Sequence, residues 1–304
     1  MSQEKKITTH SLAEGRLTLL LLLLVLLPLS LPAAQPIRVF VSALPQKHLV
    51  EQVGGDLVQV SAMVRPGYNP ASYTPTPRQV AALTQADLFI RCGLPFEAAW
   101  MERIRATNPG MRLVDARDGL PLRKIEAHSH QHGDASEAAA HEALDPHIWT
   151  SPRLAKQMAA QIQVELSRLA PQHQAKFEHN YQRFAQQLEQ LDREIKQQLS
   201  GLRSRRFMVF HPAWGYFADA YGLTQIAIEQ EGKEPGARAL TALIEQARAK
   251  QVRVIFVQPQ FNRKTAQRLA AAIGGRVEPI DPLAENYIDN LRRVARLIAE
   301  ANRR

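Results

Sequence analysis

Three short segments carry side chains with the chemistry of metal ligands. Asp145-Pro146-His147-Ile148-Trp149 precedes a helical stretch, Phe210-His211-Pro212-Ala213-Trp214 closes a β-branched and aromatic run, and Ile280-Asp281-Pro282-Leu283 closes another. In open α/β sheets a ligand sits beyond the carboxyl ends of the strands, which is where His211 and Asp281 fall. Each residue alone is more often a cap or a satisfied polar group of the core; together they suggest a site. Five of the ten histidines lie within residues 128–147. His128, His130, His132 and His141 precede His147 in a tract that also holds Glu126, Asp134, Glu137 and Glu142. Imidazole is the commonest protein ligand for zinc and its neighbours, so the tract reads as a weak, labile metal-capture segment, with a solvated or pH-sensitive polar loop as the alternative. The single cysteine, Cys92, excludes an intramolecular disulfide and a thiolate zinc site. Any bound metal is then held by nitrogen and oxygen.

The elements that position these residues follow from hydrophobic patterning. Short β-branched runs at Ile37–Ser42, Val58–Met63, Leu88–Arg91 and Arg112–Asp115 alternate with helical stretches, and a second series follows at Arg206–Phe210, Thr224–Ile228, Val252–Val257 and Arg276–Ile280. Such alternation predicts an α/β fold of two lobes, each with a mainly parallel sheet flanked by helices. Between the series, Phe177, Tyr181, Phe184, Leu188, Leu191, Ile195 and Leu199 recur every three or four residues. They make one apolar stripe on a helix of about 35 Å, with Pro171 in its first turn. Leu154, Met158, Ile162 and Leu166 mark a helix just before it. The expected organisation is an N-terminal lobe at 35–170, a rigid linking helix at 171–200 and a C-terminal lobe at 201–304, with little hinge closure because a single long helix resists bending. The connection 118–144 is long for a compact domain and reads as a mobile, solvated loop.

A chain of 304 residues, 45% hydrophobic and 22% charged, has the composition of a globular protein and not of a disordered one. The net charge of +9 comes from scattered basic residues in a chain with only 6% aromatics, which argues against nucleic-acid binding. Lys5, Lys6 and Arg16 precede the nearly pure leucine run Leu17 to Leu27, followed by Pro28, Ser30, Pro32, Ala33 and Ala34. Residues 1–34 therefore read as a secretory signal peptide, too short in its apolar part for a membrane span, with cleavage expected near Ala33 or Ala34; an uncleaved anchor is the alternative. No cysteine follows the run to carry a lipoprotein anchor, so a soluble protein of a periplasm-like compartment is expected.

Over nearly all of its mature length the chain resembles the periplasmic metal-binding proteins of zinc and manganese ABC importers, the cluster typified by high-affinity zinc uptake. The resemblance rests on Arg65-Pro66-Gly67 through Tyr73-Thr74-Pro75-Thr76-Pro77, the Asp145–Trp149 segment, His211-Pro212-Ala213-Trp214-Gly215-Tyr216-Phe217, Glu234-Pro235, Gln258-Pro259-Gln260 and Asp281-Pro282-Leu283. It implies two α/β lobes bridged by one long helix, a metal between them, a membrane permease as partner, and a monomer. It places three metal ligands on His147, His211 and Asp281, with Gln258 and Glu234 in supporting hydrogen bonds. Histidine at 211, where manganese-selective relatives tend to carry glutamate, favours zinc over manganese, since imidazole suits zinc better than a hard cation. The sequence departs from the family at Gly67-Tyr68-Asn69-Pro70-Ala71, where Ala71 stands in place of a histidine ligand. Asp281 binding through both oxygens with a water, a loop histidine such as His128 or His141, or a changed cargo are the competing explanations. Tyr73 ranks last, because its phenol must lose a proton to ligate. The rival function is a periplasmic zinc hydrolase, because three ligands plus an open position is the plan of a catalytic zinc site. No His-Glu-x-x-His motif or placed general base supports it. A metal-free adhesin or chaperone-like role is a third, weaker reading.

Overall fold

The computed structural model describes residues 35–125, 144–229 and 233–303. The leader at 1–34 and the histidines 128, 130, 132 and 141 lie outside the described residues. From Pro36 onward the chain forms one compact unit. Its first half runs β1 (Ile37–Val41), α1 (Leu44–Gly54), β2 (Val58–Ala62), α2 (Pro77–Leu83), β3 (Leu88–Arg91), α3 (Pro95–Thr107) and β4 (Arg112–Asp115). Two helices follow, α4 (Pro152–Leu169) and α5 (Gln174–Gln198). The second half is β5 (Arg206–Val209), α6 (Gly215–Tyr221), β6 (Thr224–Ala227), α7 (Ala237–Ala249), β7 (Val254–Val257), α8 (Arg263–Ala272), β8 (Arg276–Pro279) and α9 (Tyr287–Asn302). All strand pairs are parallel. The two sheets have the same topology, β2-β1-β3-β4 and β6-β5-β7-β8.

The expected strands are present to within two residues. The largest difference is at β7, which starts at Val254 and not Val252. Gln251 takes a left-handed conformation (φ 55°), and the Val252 N–H closes the end of α7 on the Ala247 carbonyl, so that Val252 belongs to the helix cap. Pro171 opens a short 3-10 turn, Pro171–His173, ahead of α5. The missing N–H of proline costs nothing in that first turn.

Side-chain alternation along β5 and β7 explains how the halves are joined. Phe207, Val209, Val254 and Phe256 face a core that is continuous with the first half, whereas Met208, Ile255 and Val257 face a separate core under α7 and α8. The shared core also takes Phe177, Phe184, Leu188, Leu191 and Ile195 of α5. Polar bonds fix the same helix to both halves: Asn180 Nδ2 donates to the Val53 carbonyl of α1 at 3.0 Å, Tyr221 Oη of α6 donates to Asp192 at 3.0 Å, and Arg292 of α9 pairs with Glu194 at 2.8 Å. Because close-packed interiors transmit strain instead of absorbing it, this continuity resists a wide swing of one half against the other.

Candidate metal centre

The carboxyl ends of both sheets open on a cavity of about 510 Å³. In the second sheet the strand order reverses between β5 and β7, the switch point where α/β sheets place ligands. His211 follows β5 and Gln258 follows β7, and the two are tied together: the Gln258 amide donates to the His211 carbonyl at 2.6 Å and accepts from its N–H at 3.2 Å. This clasp fixes the backbone of His211 while its ring stacks on Phe261, centroids 5.1 Å apart. Its Nδ1 lies 2.6 Å from the buried carboxylate of Glu229, just beyond β6.

His147 reaches the same cavity from the other half, on the segment leading into α4. Asp145 turns back to take both the His147 backbone N–H at 3.0 Å and Nδ1 at 2.7 Å, and Arg123 holds its other oxygen at 3.2 Å. Burial opposes the Asp145 charge, but the bonds from His147 and Arg123 outweigh it and hold the carboxyl below the ordinary range. An ionised carboxylate only accepts, so the Nδ1 of His147 carries the proton and Nε2 is left with its lone pair. The Glu229 carboxylate imposes the same tautomer on His211. Each imidazole is thus oriented by a carboxylate, the arrangement that presents Nε2 to a metal. The two rings lie 5.3 Å apart between centroids, at 74° to one another.

Burial pushes the His147 imidazole below its ordinary pKa, although Asp145 pulls the other way. The ring is therefore neutral at pH 7 and has no proton for a metal to displace. Zinc affinity is expected to stay flat above pH ~7 and to fall only below the ordinary imidazole value of about 6.5, as protons begin to compete. Calorimetric titrations between pH 5.5 and 8 check this.

The sequence-derived residues fall into three groups. His147 and His211 come together. Asp281 sits just beyond β8, next to Pro282 and Leu283 of the cavity wall, with one oxygen accepting from Gln260 Nε2 at 3.0 Å and from the Leu283 N–H at 2.9 Å. Among the described residues no group of three His, Cys, Asp or Glu side chains is arranged to hold an ion, so Asp281 is not gathered with the two imidazoles in this arrangement. Ala71 lies on the cavity wall, in the turn Pro70–Ser72, where Asn69 Oδ1 accepts the Ala71 N–H at 2.9 Å. Tyr73 is buried and donates its hydroxyl to Gln79 at 2.7 Å, which removes it as a donor. Glu234 accepts from Thr265 Oγ1 at 2.8 Å, within its own half.

The connection 118–144 is better anchored at its start than its composition suggests. Leu120 and Leu122 pack on the shared core, the Arg123 N–H donates to Tyr216 Oη at 3.1 Å, and Lys124 bridges to Leu144. Its described part is thus fixed at the cavity rim by hydrophobic residues that polar neighbours obscured. Sequence reasoning missed Glu229 and Phe261 as supports of His211. Neither has a spacing signal, because sheet topology alone brings them to it; the Asp-x-His spacing of Asp145 was legible.

Two parallel sheets joined by a long helix, with paired imidazoles at the seam, define a binding protein of the solute-capturing class. The family model described as zinc-uptake complex component A, periplasmic, matches residues 39–301, and the chain belongs to that family. It is 27% identical over 242 residues to the high-affinity zinc uptake system protein ZnuA of Bacillus subtilis, covering 79% of this chain and 76% of that one. A crystal structure of ZnuA superposes with a TM-score of 0.81 at 40% identity, over 88% of this chain and 100% of that one. A ZnuA deletion mutant with zinc bound superposes equally well, with a TM-score of 0.81 over 89% of this chain and 99% of that one. The chain is also 28% identical over 261 residues to the zinc-binding lipoprotein AdcA of Streptococcus pneumoniae, covering 80% of this chain and 51% of that longer protein.

Proposed function

We propose that the mature protein captures zinc between its two halves in the periplasm and delivers it, as a monomer, to the permease of an ABC importer. The pairing of His147 with Asp145 and of His211 with Glu229 carries this reading, because a carboxylate on Nδ1 orients each imidazole to present Nε2 to a metal. Zinc fits the nitrogen-rich donor set better than manganese does. Asp281 is the third ligand in this proposal, turning its second oxygen toward the ion. Among the described residues, the buried carboxylates beside the site, Asp145 and Glu229, each face the Nδ1 of a histidine, which weighs against hydrolysis. Residues 1–34 act as the cleaved leader in this proposal, and the one cysteine of the sequence is the buried Cys92. Metal analysis of the purified mature chain should find close to one zinc that survives dialysis, and chelator-sensitive ester or peptide turnover would instead favour the hydrolase.

In this proposal the histidine tract raises the chance of capture and does not set the final affinity. Deleting residues 127–143 is expected to slow zinc uptake from dilute solution while leaving the equilibrium affinity within about threefold, since in this reading His147, His211 and Asp281 carry the affinity. Stopped-flow capture and competition titration separate the two. Collapse of the affinity would place a loop histidine in the coordination shell.

A further inference from the structure

The cavity is far larger than its proposed cargo. A water takes about 30 Å³ of liquid volume, so an ion with one or two waters leaves most of the 510 Å³ unfilled. That volume lies within the roughly 300–1,000 Å³ of sites for small organic molecules. Its wall is also largely apolar, with Leu94, Leu144, Phe261 and Leu283 among the lining residues. Such surface does nothing for a hydrated cation.

The wall further includes a guanidinium, which repels a bare cation. Arg117 uses Nε and Nη2 on Asp115, at 2.9 and 2.7 Å. Its Nη1 lies over Gly93 and has no hydrogen-bond partner among the described residues. Gly93 takes φ +83°, and a β-carbon there would run into the guanidinium. The close approach of Arg117 to the cavity therefore depends on glycine at this point. A guanidinium edge is the preferred partner of a carboxylate.

These features converge with the methyl group at Ala71. We propose that the site takes zinc as a complex with a small aminocarboxylate chelator. In this arrangement His147 and His211 bind the metal, chelator nitrogen and oxygen donors fill the position that Ala71 leaves open and the one that Asp281 takes on bare zinc, a chelator carboxylate meets Arg117, and its carbon skeleton rests on Phe261 and Leu283. This rests on the reading of the two histidines as zinc ligands. A tridentate chelator plus two imidazoles gives five donors, within the range zinc accepts.

L-Histidine is a suitable probe, because it chelates through amine, imidazole and carboxylate. The mature full chain is titrated with zinc alone and with zinc premixed with radiolabelled L-histidine, and co-retention is read by gel filtration. One histidine retained per zinc is the expected result. Arg117→Met should weaken retention of the complex by about tenfold or more, the cost of a lost charge-assisted hydrogen bond. Ala71→His, on an exposed turn, should bind bare zinc tightly and retain no histidine; it reports even if the Arg117 variant fails to fold. Stoichiometric zinc on the unaltered chain without co-retained histidine overturns the chelate while leaving zinc capture intact. Failure to hold zinc in either form overturns the zinc reading itself.

Discussion

The His211→Ala protein should hold no zinc through dialysis, and a competition titration should show its affinity lowered by well over 100-fold. The magnitude follows from what the ring contributes. It is one of two imidazoles the fold brings together, and its preorganisation is costly to rebuild. Its backbone is clasped by Gln258, its face is covered by Phe261 and its Nδ1 is fixed by Glu229. Altering the support instead of the ligand should give a smaller loss. Glu229→Gln still offers an oxygen to Nδ1 but without the charge that raises ligand basicity, and a change of this kind costs roughly 10-fold to 100-fold in metal affinity. Glu229→Ala loses orientation as well and should fall at the upper end of that range. Among the described residues, Glu229 Oε2 is buried without a hydrogen-bond partner. An unsatisfied buried carboxylate oxygen costs stability, about 1–3 kcal/mol or more. Its retention is understandable if Glu229 serves the histidine and not the fold. If Glu229→Gln binds zinc as the unaltered protein does, the orienting role of that carboxylate is excluded.

What the sequence revealed and what it hid have separable physical causes. Strands buried on both faces must be continuous β-branched and aromatic runs, which is why Val254-Ile255-Phe256-Val257 is unambiguous. The stripe from Phe177 to Ile195 could only be a long helix with one covered face. His147 and His211 stood out only together, as histidines at segment ends that α/β topology brings to one cleft. Of the partners of His211, Gln258 was legible only through the family resemblance, and Glu229 and Phe261 were not legible at all. Glu229 lies 18 residues from His211, and Phe261 and Gln258 lie 50 and 47 away, brought together only by parallel strand pairing across β6, β5 and β7. Arg117 carries no spacing signal either, since only the folded turn after β4 brings its guanidinium over Gly93. Asp281 shows the limit of position alone: it lies at a strand end as expected, yet one of its carboxylate oxygens is taken by Gln260 and by the backbone of its own turn.

Trp149→Ala should lower unfolding free energy by about 3–5 kcal/mol, the range for emptying a buried aromatic site. Trp149 is 1% exposed and stands where the halves meet. Its indole N–H donates to the Pro282 carbonyl at 2.7 Å, and its own carbonyl accepts from Tyr287 Oη at the start of α9 at 2.6 Å. The residue thereby pins the segment carrying His147 to the segment carrying Asp281. Its ring also backs the His147 imidazole, with centroids 5.5 Å apart. Trp149→Phe keeps most of the volume but strands the Pro282 carbonyl, and should cost about 1–3 kcal/mol. Denaturant titrations of the metal-free proteins measure both. The consequence for function is larger than either number. With the seam closed by a buried tryptophan and a continuous core, solution scattering of the unaltered protein should superimpose with and without zinc, whereas Trp149→Ala should expand when the metal is removed. A wide zinc-driven change in the unaltered protein would refute the rigid seam. If the seam holds, the proposed capture and release of zinc must proceed by movement of individual side chains such as His147 and His211 and not by separation of the halves.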